Sequence, residues 1–267
     1  MQTLYKRTLS PTYHTRFWQQ GYLLFPNYFS NSEAEKIQDW SNELETWPEE
    51  KGKWMIYYEK DSQQMKKRSR IENFINYHPE MNNFIQSRVT STLADIYQKP
   101  MSLFKDKMNW KKAYGKGFKA HQDQPAWSDF PPQRFVSVAL FGNKTSENNG
   151  CLEFVPKKHL NGLYDYDLTN LGELTPEVEK DLDWEYIETS PRDLLIFDSF
   201  APHRSKANQT NMERRIFYFT YNPMEDGDFH QKYLDKKRIE FPPDIEREKG
   251  KNYKIKGSRY NLANPIE

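Results

Sequence analysis

A histidine and an aspartate two positions apart, His121 and Asp123, constrain the fold more than any other feature of this chain. Another histidine, His203, and an arginine, Arg214, follow far downstream. Successive side chains of a β-strand point to opposite faces, so His121 and Asp123 can share a metal ion on extended chain while Gln122 faces away. The pattern predicts metal ligands at the strand rims of a rigid sheet, where they are held better than on free loops.

Three segments around these residues have strand character. Residues 115–120 contain two glycines and no helical apolar period, which suits a strand entered from a turn. Residues 193–200 are typical of another strand, and His203 falls just past its end. Residues 214–221 form a β-branched and aromatic run typical of a core strand. The candidate ligands therefore lie next to predicted strands.

The donor set favours iron. Two imidazoles and one carboxylate can occupy one face of a six-coordinate Fe(II), which leaves three positions for a bidentate co-substrate and dioxygen. Zinc is the main rival because it binds the same donors. Arg214 favours iron, since a guanidinium can clamp the distal carboxylate of a dicarboxylic keto acid, although many strand-end arginines are only solvated. The pattern points to a non-haem Fe(II) oxygenase, with a zinc hydrolase and a non-catalytic barrel binding a metal or small acid as alternatives.

The sequence resembles the phytanoyl-CoA dioxygenase family of Fe(II)/2-oxoglutarate oxygenases, from about Trp54 to about Phe241. The stretches that carry the resemblance are residues 70–74, 104–110, 117–123, 149–156, 202–205 and 214–223. Membership implies a mainly β fold with flanking helices around a double-stranded β-helix (jelly-roll or cupin-like) core. It also implies Fe(II), 2-oxoglutarate as co-substrate, and O2.

The same resemblance implies roles for individual residues. The iron ligands would be His121, Asp123 and His203. The residues that bind 2-oxoglutarate would be Arg214 as the clamp, Ser205 on the same carboxylate, and Asn109 as a weaker candidate. Halogenating relatives replace the metal carboxylate by a small residue, so Asp123 predicts hydroxylation, with desaturation and ring closure left open.

Polar residues near the predicted metal strands suggest the substrate. The candidate substrate residues are Trp127, Tyr57, Arg70, Asn73, Lys107 and Gln124. These groups favour a small polar metabolite, and one named option is a phosphonate such as 2-aminoethylphosphonate, because the family includes such hydroxylases. Tailoring of an amino-acid- or terpenoid-derived natural product is the alternative. An acyl-CoA is disfavoured because no concentrated basic patch suggests a nucleotide-phosphate site. Aromatic residues are 15% of the chain, so packing is the competing role for each ring.

The charge balance, the apolar runs and the cysteine content limit which partners and which cellular location are expected. The 39 basic and 38 acidic residues nearly cancel, so net charge suggests neither nucleic acid nor an anionic membrane as a partner. The chain lacks a long apolar run, and residues 1–7 lack the apolar core of a signal peptide. The single cysteine, Cys151, forbids an internal disulfide and favours a cytoplasmic protein in which it packs as a small core residue. Oligomeric state is left open.

The length suits one domain over residues 1–267. Residues 1–101 are expected to give helical support: a capping box at residues 30–33 begins a helix through Leu44, and residues 78–97 have helical apolar spacing. Residues 102–223 are expected to form the β core, with a polar insertion at 161–184 as a lid or surface excursion. Residues 224–267 look like a C-terminal wrap with little core of its own.

Overall fold

The computed structural model describes residues 12–60, 65–165 and 172–253. The terminal segments 1–11 and 254–267, and residues 166–171 of the predicted insertion, lie outside the described residues. The strands are β1 (Tyr22–Phe25), β2 (Met55–Lys60), β3 (Lys66–Glu72), β4 (Met101–Lys111), β5 (Phe118–His121), β6 (Val136–Phe141), β7 (Leu152–Phe154), β8 (Glu185–Ile187), β9 (Leu194–Asp198), β10 (His203–Ser205) and β11 (Arg214–Pro223). The helices are α1 (Thr12–Gln20), α2 (Asn31–Thr46), α3 (Pro79–Phe84), α4 (Ser91–Tyr97), α5 (Pro176–Lys180) and α6 (His230–Glu240), and a π-helical segment (Ile85–Thr90) joins α3 to α4.

The strands form two antiparallel sheets. The larger has the order β1-β9-β6-β11-β4-β3-β2 and the smaller the order β5-β10-β7-β8. From β4 to β11 the chain passes back and forth between the two sheets, so that strands distant in sequence pair with one another, such as β4 with β11 and β5 with β10. This arrangement confirms the expected double-stranded β-helix with flanking helices.

Strand alternation assigns the two faces of the larger sheet. Phe217 and Phe219 of β11 point outward into a core cluster that includes Ile37 of α2 and Leu93 of α4. Ile216 and Tyr218 point inward, toward the smaller sheet, and pack with Phe154. Each fully buried apolar side chain of this size contributes roughly 1.5–3 kcal/mol of transfer free energy. The helices therefore buttress the outer face and leave the inner face for the site.

The N-terminal region has the expected helices and additional strands. Ser30 Oγ accepts a hydrogen bond from the Glu33 amide at 3.2 Å, and the Ser30 amide donates to the Glu33 carboxylate at 2.9 Å. This capping box begins α2, as predicted, and the helix expected at 78–97 is also present. The expectation of a helical region is incomplete, because β1, β2 and β3 extend both edges of the larger sheet.

The C-terminal segment contributes more to the core than the sequence suggests. Tyr233, Leu234 and Phe241 are buried in a cluster with Phe104 and Trp127. The expectation of little core was wrong for the described part of this segment, because α6 packs against the inner side of β4. Among the described residues, no helix is both long enough and apolar enough to cross a bilayer.

Candidate active site

Three side chains with metal-binding donors converge between the two sheets. Candidate donor atoms of His121, Asp123 and His203 all lie within 4.8 Å of one another. His121 Nε2 lies 3.7 Å from Asp123 Oδ1, and His203 Nε2 lies 3.9 Å from Asp123 Oδ2. Nitrogen and oxygen donors about 2 Å from a shared ion are separated by about 3–4 Å. The three side chains therefore fit one metal ion.

Hydrogen bonds on the far side of each ring direct both Nε2 atoms toward Asp123. His121 Nδ1 lies 2.7 Å from the Lys119 carbonyl oxygen, and His203 Nδ1 lies 3.0 Å from the Ala201 carbonyl oxygen. A carbonyl oxygen only accepts, so Nδ1 carries the proton in each neutral ring and Nε2 keeps its lone pair. Backbone contacts of this kind fix the tautomer that binds a metal.

Asp123 reaches the site by a different route from the one that strand alternation predicts. Strand β5 ends at His121, and Asp123 has helical backbone angles (φ −73°, ψ −31°) before a 3-10 turn at Gln124–Trp127. The expectation that both ligands share one face of extended chain was therefore wrong for Asp123. His203 opens β10 and pairs directly with His121 across the smaller sheet. Sheet pairing thus positions the two imidazoles, and the turn brings in the carboxylate.

Gln122 braces the segments that carry the three donors. Its Nε2 donates to the Phe200 carbonyl at 2.7 Å and the Gly162 carbonyl at 2.9 Å, while its Oε1 accepts from the Tyr164 amide at 2.9 Å. These contacts hold the Gln122 side chain against the segments that contain Phe200, Gly162 and Tyr164. They tie the His121 segment to the loop that leads into His203.

Electrostatics keep the triad in a metal-binding protonation state. Burial raises the pKa of Asp123, but the charges of His203 and His121 outweigh it, so the net pKa is below its usual range. Burial and repulsion from His121 lower the pKa of His203 to about 4. An ionised carboxylate beside a neutral imidazole is the state in which such groups ligate a metal.

Arg214 lies at one end of the inner face with unused donors. It is fully buried, and its Nη1 donates to the Gly150 carbonyl. Its Nε and Nη2 make no well-formed hydrogen bond within the described part of the chain, although the guanidinium also interacts with the Tyr218 hydroxyl. These two donors form one edge of the guanidinium, which matches the two oxygens of a carboxylate. Ser205 Oγ lies nearby, 2.8 Å from Lys111 Nζ, and Lys111 pairs with Arg214 in the sheet.

The backbone conformation and the close packing at position 150 both require glycine. Its φ is +71°, and a Cβ there would lie 2.2 Å from the Lys206 carbonyl oxygen. Only glycine tolerates both the left-handed backbone and the close approach. Its carbonyl accepts from Arg214 and also lies 3.3 Å from Lys111 Nζ. The neighbouring Cys151 is buried and burial raises its pKa to about 11, consistent with the expected packing role.

A small cavity of about 60 Å³ adjoins the triad. Its lining includes all three metal donors together with Asn109 and Ser205. Five cationic side chains also line it: Arg70, Lys105, Lys107, Arg204 and Lys237. Of the described residues in the lining, only Asp123 is acidic. The lining beside the candidate metal centre is therefore rich in basic side chains.

The structure separates the predicted substrate residues into two groups. Trp127, Arg70 and Lys107 line the cavity. The other three lie outside its lining and have other contacts: the Tyr57 hydroxyl donates to the Phe241 carbonyl at 2.9 Å, Asn73 Nδ2 donates to the Lys53 carbonyl at 3.0 Å, and Gln124 Oε1 accepts from Ser199 Oγ at 2.6 Å. Arg214 is also outside the lining, but it interacts electrostatically with Tyr218, which is part of it.

Eleven lining residues are not among the predicted site residues. They include Lys105 on β4 and Tyr233 and Lys237 on α6. A signal for Lys105 was present, because Lys105, Lys107 and Asn109 occupy alternate positions that share one face of a strand. The two α6 residues are spaced i, i+4 and share one helix face, but the segment carries no apolar pattern that indicates burial.

Comparison with known proteins relates the chain to a family of oxygenases. The family model described as phytanoyl-CoA dioxygenase (PhyH) matches residues 17–216. The chain is 34% identical over 259 residues to a 2-aminoethylphosphonate dioxygenase from uncultured bacterium HF130_AEPn_1, covering 95% of this chain and 97% of that protein. It is 32% identical over 235 residues to a methylphosphonate hydroxylase from Gimesia maris, covering 88% of each.

A solved structure shares the fold. The crystal structure of EctD from S. alaskensis with 2-oxoglutarate and 5-hydroxyectoine matches with a TM-score of 0.69 at 17% identity, covering 83% of this chain and 79% of that chain. At this level of identity the match supports the double-stranded β-helix and nothing finer.

Proposed function

The chain belongs to the phytanoyl-CoA dioxygenase family and is an Fe(II)- and 2-oxoglutarate-dependent dioxygenase, and we propose that it hydroxylates a small organophosphonate at the carbon bonded to phosphorus. The observation that carries the substrate class is the cationic cavity beside the triad. A phosphate-like group carries close to two negative charges near neutral pH and offers three strong acceptor oxygens. Lysine and arginine are the side chains suited to bind it.

We propose His121, Asp123 and His203 as the Fe(II) ligands. Their donor atoms fit one ion, and the backbone contacts at both Nδ1 atoms leave the two Nε2 atoms available. Three protein ligands leave room for a co-substrate and dioxygen on a six-coordinate iron. When bound, iron with 2-oxoglutarate and O2 supplies an oxidant strong enough to replace a C–H bond by C–OH.

We propose Arg214, Ser205 and Asn109 as the 2-oxoglutarate residues. The unpaired edge of Arg214 and the unpartnered, buried Oδ1 of Asn109 are polar groups that the described residues leave unsatisfied. Buried polar groups without partners are rare in folded proteins, so a bound carboxylate is a physical account of the Arg214 edge. Ser205 and Asn109 also line the cavity.

The overall reaction balances with the named co-substrates. 2-Oxoglutarate loses CO2 and becomes succinate, one oxygen atom of O2 enters succinate, and the other becomes the hydroxyl group on the phosphonate carbon. The protein orients the substrate carbon toward the metal through its phosphonate group. Trp127 and Tyr233 contribute aromatic surface to the cavity lining.

The lining favours a short polar substrate over a long acyl chain. Besides the metal donors, it contains five basic side chains and four neutral polar ones, Asn109, Ser137, Ser205 and Thr220.

The test is coupled turnover. Methylphosphonate and 2-aminoethylphosphonate are each incubated with enzyme, Fe(II), 2-oxoglutarate and O2, beside acetate and β-alanine as carboxylate counterparts. Succinate is quantified, and the phosphorus product is followed by 31P NMR. We expect succinate and hydroxylated phosphonate in equal amounts, with only background succinate for the carboxylates. Coupled turnover of a carboxylate while both phosphonates remain unchanged would refute the proposal.

Two variants distinguish the loss of a metal ligand from damage to the fold in that test. Asp123→Ala removes the proposed metal carboxylate and should abolish succinate formation. Asp95→Ala removes an exposed aspartate of α4 and should leave turnover unchanged. Equal loss in both variants would indicate damage to the fold instead of loss of a ligand.

Two further assignments remain predictions. We propose a single domain over residues 1–267, in which residues 1–101 supply helices and the strands β1 to β3, residues 102–223 most of the β core and residues 224–267 the C-terminal wrap. We also propose a cytoplasmic location, which is consistent with the single, buried Cys151.

A further inference from the structure

The cationic side chains of the cavity are not equivalent. Glu72 is fully buried and accepts hydrogen bonds from Lys237 Nζ, from the Tyr233 hydroxyl at 3.2 Å and from Arg70 Nη1 at 3.3 Å. Burial raises the pKa of Glu72, but the charges of Lys237, Lys105 and Arg70 outweigh it and bring the net pKa below its usual range. Glu72 therefore stays ionised, and it neutralises charge from Arg70 and Lys237.

Arg204 is also neutralised by acidic partners. Its Nη2 lies 2.8 Å from Glu153 Oε2, and its Nη1 lies 2.6 Å from Glu179 Oε1. Its guanidinium also stacks 4.2 Å from the ring centroid of Trp184. These contacts hold Arg204 in place and leave it little excess charge for a ligand.

Lys105 and Lys107, which we call the β4 lysine pair, differ from the other three cations. Within the described residues, neither ammonium has a hydrogen-bond or ion-pair partner. Lys105 is only 7% exposed, and its Nζ lies 5.4 Å from the ring centroid of Tyr233 and 5.9 Å from that of Trp127. Lys107 Nζ lies 4.7 Å from the ring centroid of Tyr218. Both line the cavity next to the triad.

An arrangement of this kind is costly in the empty protein. Removing an ammonium from water without a hydrogen-bonding counterion is strongly unfavourable. Burial lowers the pKa of Lys105, and burial with repulsion from Lys105 lowers the pKa of Lys107 to about 7. Local violations of packing rules in natural proteins concentrate at functional sites. The β4 lysine pair therefore points to an anionic ligand.

We propose that the β4 lysine pair is the subsite that binds the phosphonate group, with Trp127 and Tyr233 as its aromatic wall; this assignment rests on the proposed function. Lys105 and Lys107 face the same side of β4 at alternate positions, so their Cα atoms are about 7 Å apart. Two flexible lysines at that spacing can approach one tetrahedral anion from two sides. A phosphonate offers three oxygens and up to two charges to satisfy both ammoniums, whereas a carboxylate carries one charge.

Strand register places this subsite farther along β4 than the proposed co-substrate residue Arg214. Across the sheet, Lys111 pairs with Arg214, Asn109 with Ile216, Lys107 with Tyr218 and Lys105 with Thr220. β4 therefore runs from the 2-oxoglutarate end at Lys111 to the phosphonate end at Lys105. Asp123 interacts electrostatically with both Lys105 and Lys107, so an anion bound by the β4 lysine pair would lie close to the metal donors.

The test measures binding without turnover. Methylphosphonate is titrated calorimetrically into the anaerobic Fe(II)–2-oxoglutarate enzyme, in the parent protein and in Lys105→Met, Lys107→Met and the double variant. Lys99→Met is the matched control, because it removes one exposed lysine that is paired with Glu225 outside the cavity. Losing a charge-assisted hydrogen bond weakens binding by about 10- to 100-fold. We expect that loss for each single variant, a larger loss for the double variant and none for the control.

Two accompanying measurements separate a binding role from a structural one. In an anaerobic titration, the visible charge-transfer band of the Fe(II)–2-oxoglutarate complex should reach half of its final intensity at the same 2-oxoglutarate concentration in all variants as in the parent. Without phosphonate, Lys107→Met should melt at a higher temperature than the parent, because methionine removes a buried ammonium that Lys105 and Arg70 repel. A lower melting temperature in Lys107→Met would indicate a structural lysine and overturn the assignment.

The outcomes distinguish the subsite from the proposed function. If the parent binds methylphosphonate and the double variant binds it equally well, the β4 lysine pair is not the subsite, while the proposed function stands. If the parent binds no phosphonate but retains the charge-transfer band, both the substrate class and the subsite are wrong.

Discussion

At the scale of single residues, Lys111 determines how Ser205 can hydrogen-bond. Lys111 Nζ lies 2.8 Å from Ser205 Oγ and also contacts the carbonyls of Gly150 and Lys206. Burial and repulsion from Arg214 lower the pKa of Lys111. When Lys111 is protonated it only donates, so Ser205 Oγ then accepts from it and the Ser205 proton is directed elsewhere. The hydroxyl is thus available to donate to a carboxylate held by Arg214. Lys111 is a positioning residue for the proposed co-substrate site.

Replacing Lys111 should therefore weaken co-substrate binding more than it slows the reaction. Lys111→Met removes the donor that orients Ser205 and a positive charge beside Arg214, which should raise the KM for 2-oxoglutarate by about 10- to 100-fold. The value of kcat at saturating 2-oxoglutarate should change far less. Steady-state kinetics with varied 2-oxoglutarate measure the split, and anaerobic titration of the charge-transfer band checks it independently. A fall in kcat at unchanged KM would place Lys111 in another role.

At the scale of secondary structure, β4 shows why part of the site could not be predicted. Its polar residues Lys105, Lys107 and Lys111 alternate with Met108 and Trp110, a pattern typical of a strand with one face in water. In this fold the polar face of β4 lines an internal cavity. A strand with a polar face in solvent and a strand with a polar face in a cavity show the same alternation. The two differ only in whether a second sheet covers that face, and here the covering sheet is formed by strands distant in sequence.

The elements that were predicted correctly carry local signals. The capping box at Ser30 and the aromatic run from Arg214 specify α2 and β11 through neighbouring residues alone. Asp123 was placed on a strand because an i, i+2 pair suits extended chain, yet a 3-10 turn that contains Pro125 begins at Gln124, directly after it. The metal triad could be found from residue types and spacing, whereas its backbone geometry could not. Lys237 could not be found because its partner, Glu72, lies on a distant strand.

The docking of α6 onto the sheet depends on Glu72, and this can be tested. Glu72→Gln leaves Lys237 buried without a counterion, which should lower the free energy of unfolding by about 3–5 kcal/mol. Lys237→Met in the same chain removes the unpaired charge, so the double variant should recover much of that loss. Urea unfolding of the parent, both single variants and the double variant measures the coupling. Strictly additive losses would show that Glu72 and Lys237 stabilise the protein independently.

At the scale of the whole molecule, Glu59 should make stability depend on pH. Partial burial raises the pKa of Glu59 from 4.5 to about 7, although the charges of Lys112, Arg70 and Lys111 oppose the shift. Between these two values the folded protein holds a proton that the unfolded chain releases. The stability that this proton contributes is therefore fully present below about pH 4.5 and is lost as the pH rises to about 7.

Glu59→Gln removes the titrating carboxyl group. The difference in free energy of unfolding between variant and parent, plotted against pH, should therefore report the titration of Glu59 alone. Relative to the parent, the free energy of unfolding of the variant should rise by about 1–3 kcal/mol between pH 4.5 and pH 7.5, at the lower end if solvent screens the partly exposed carboxyl. Above that range the difference should be constant, because Glu59 is then ionised in both states. Urea unfolding at fixed metal loading measures the curve, with Glu35→Gln, at an exposed glutamate of α2, as the control. A difference that stays flat, or that falls as the pH rises, would show that folding does not disfavour the ionised form of Glu59.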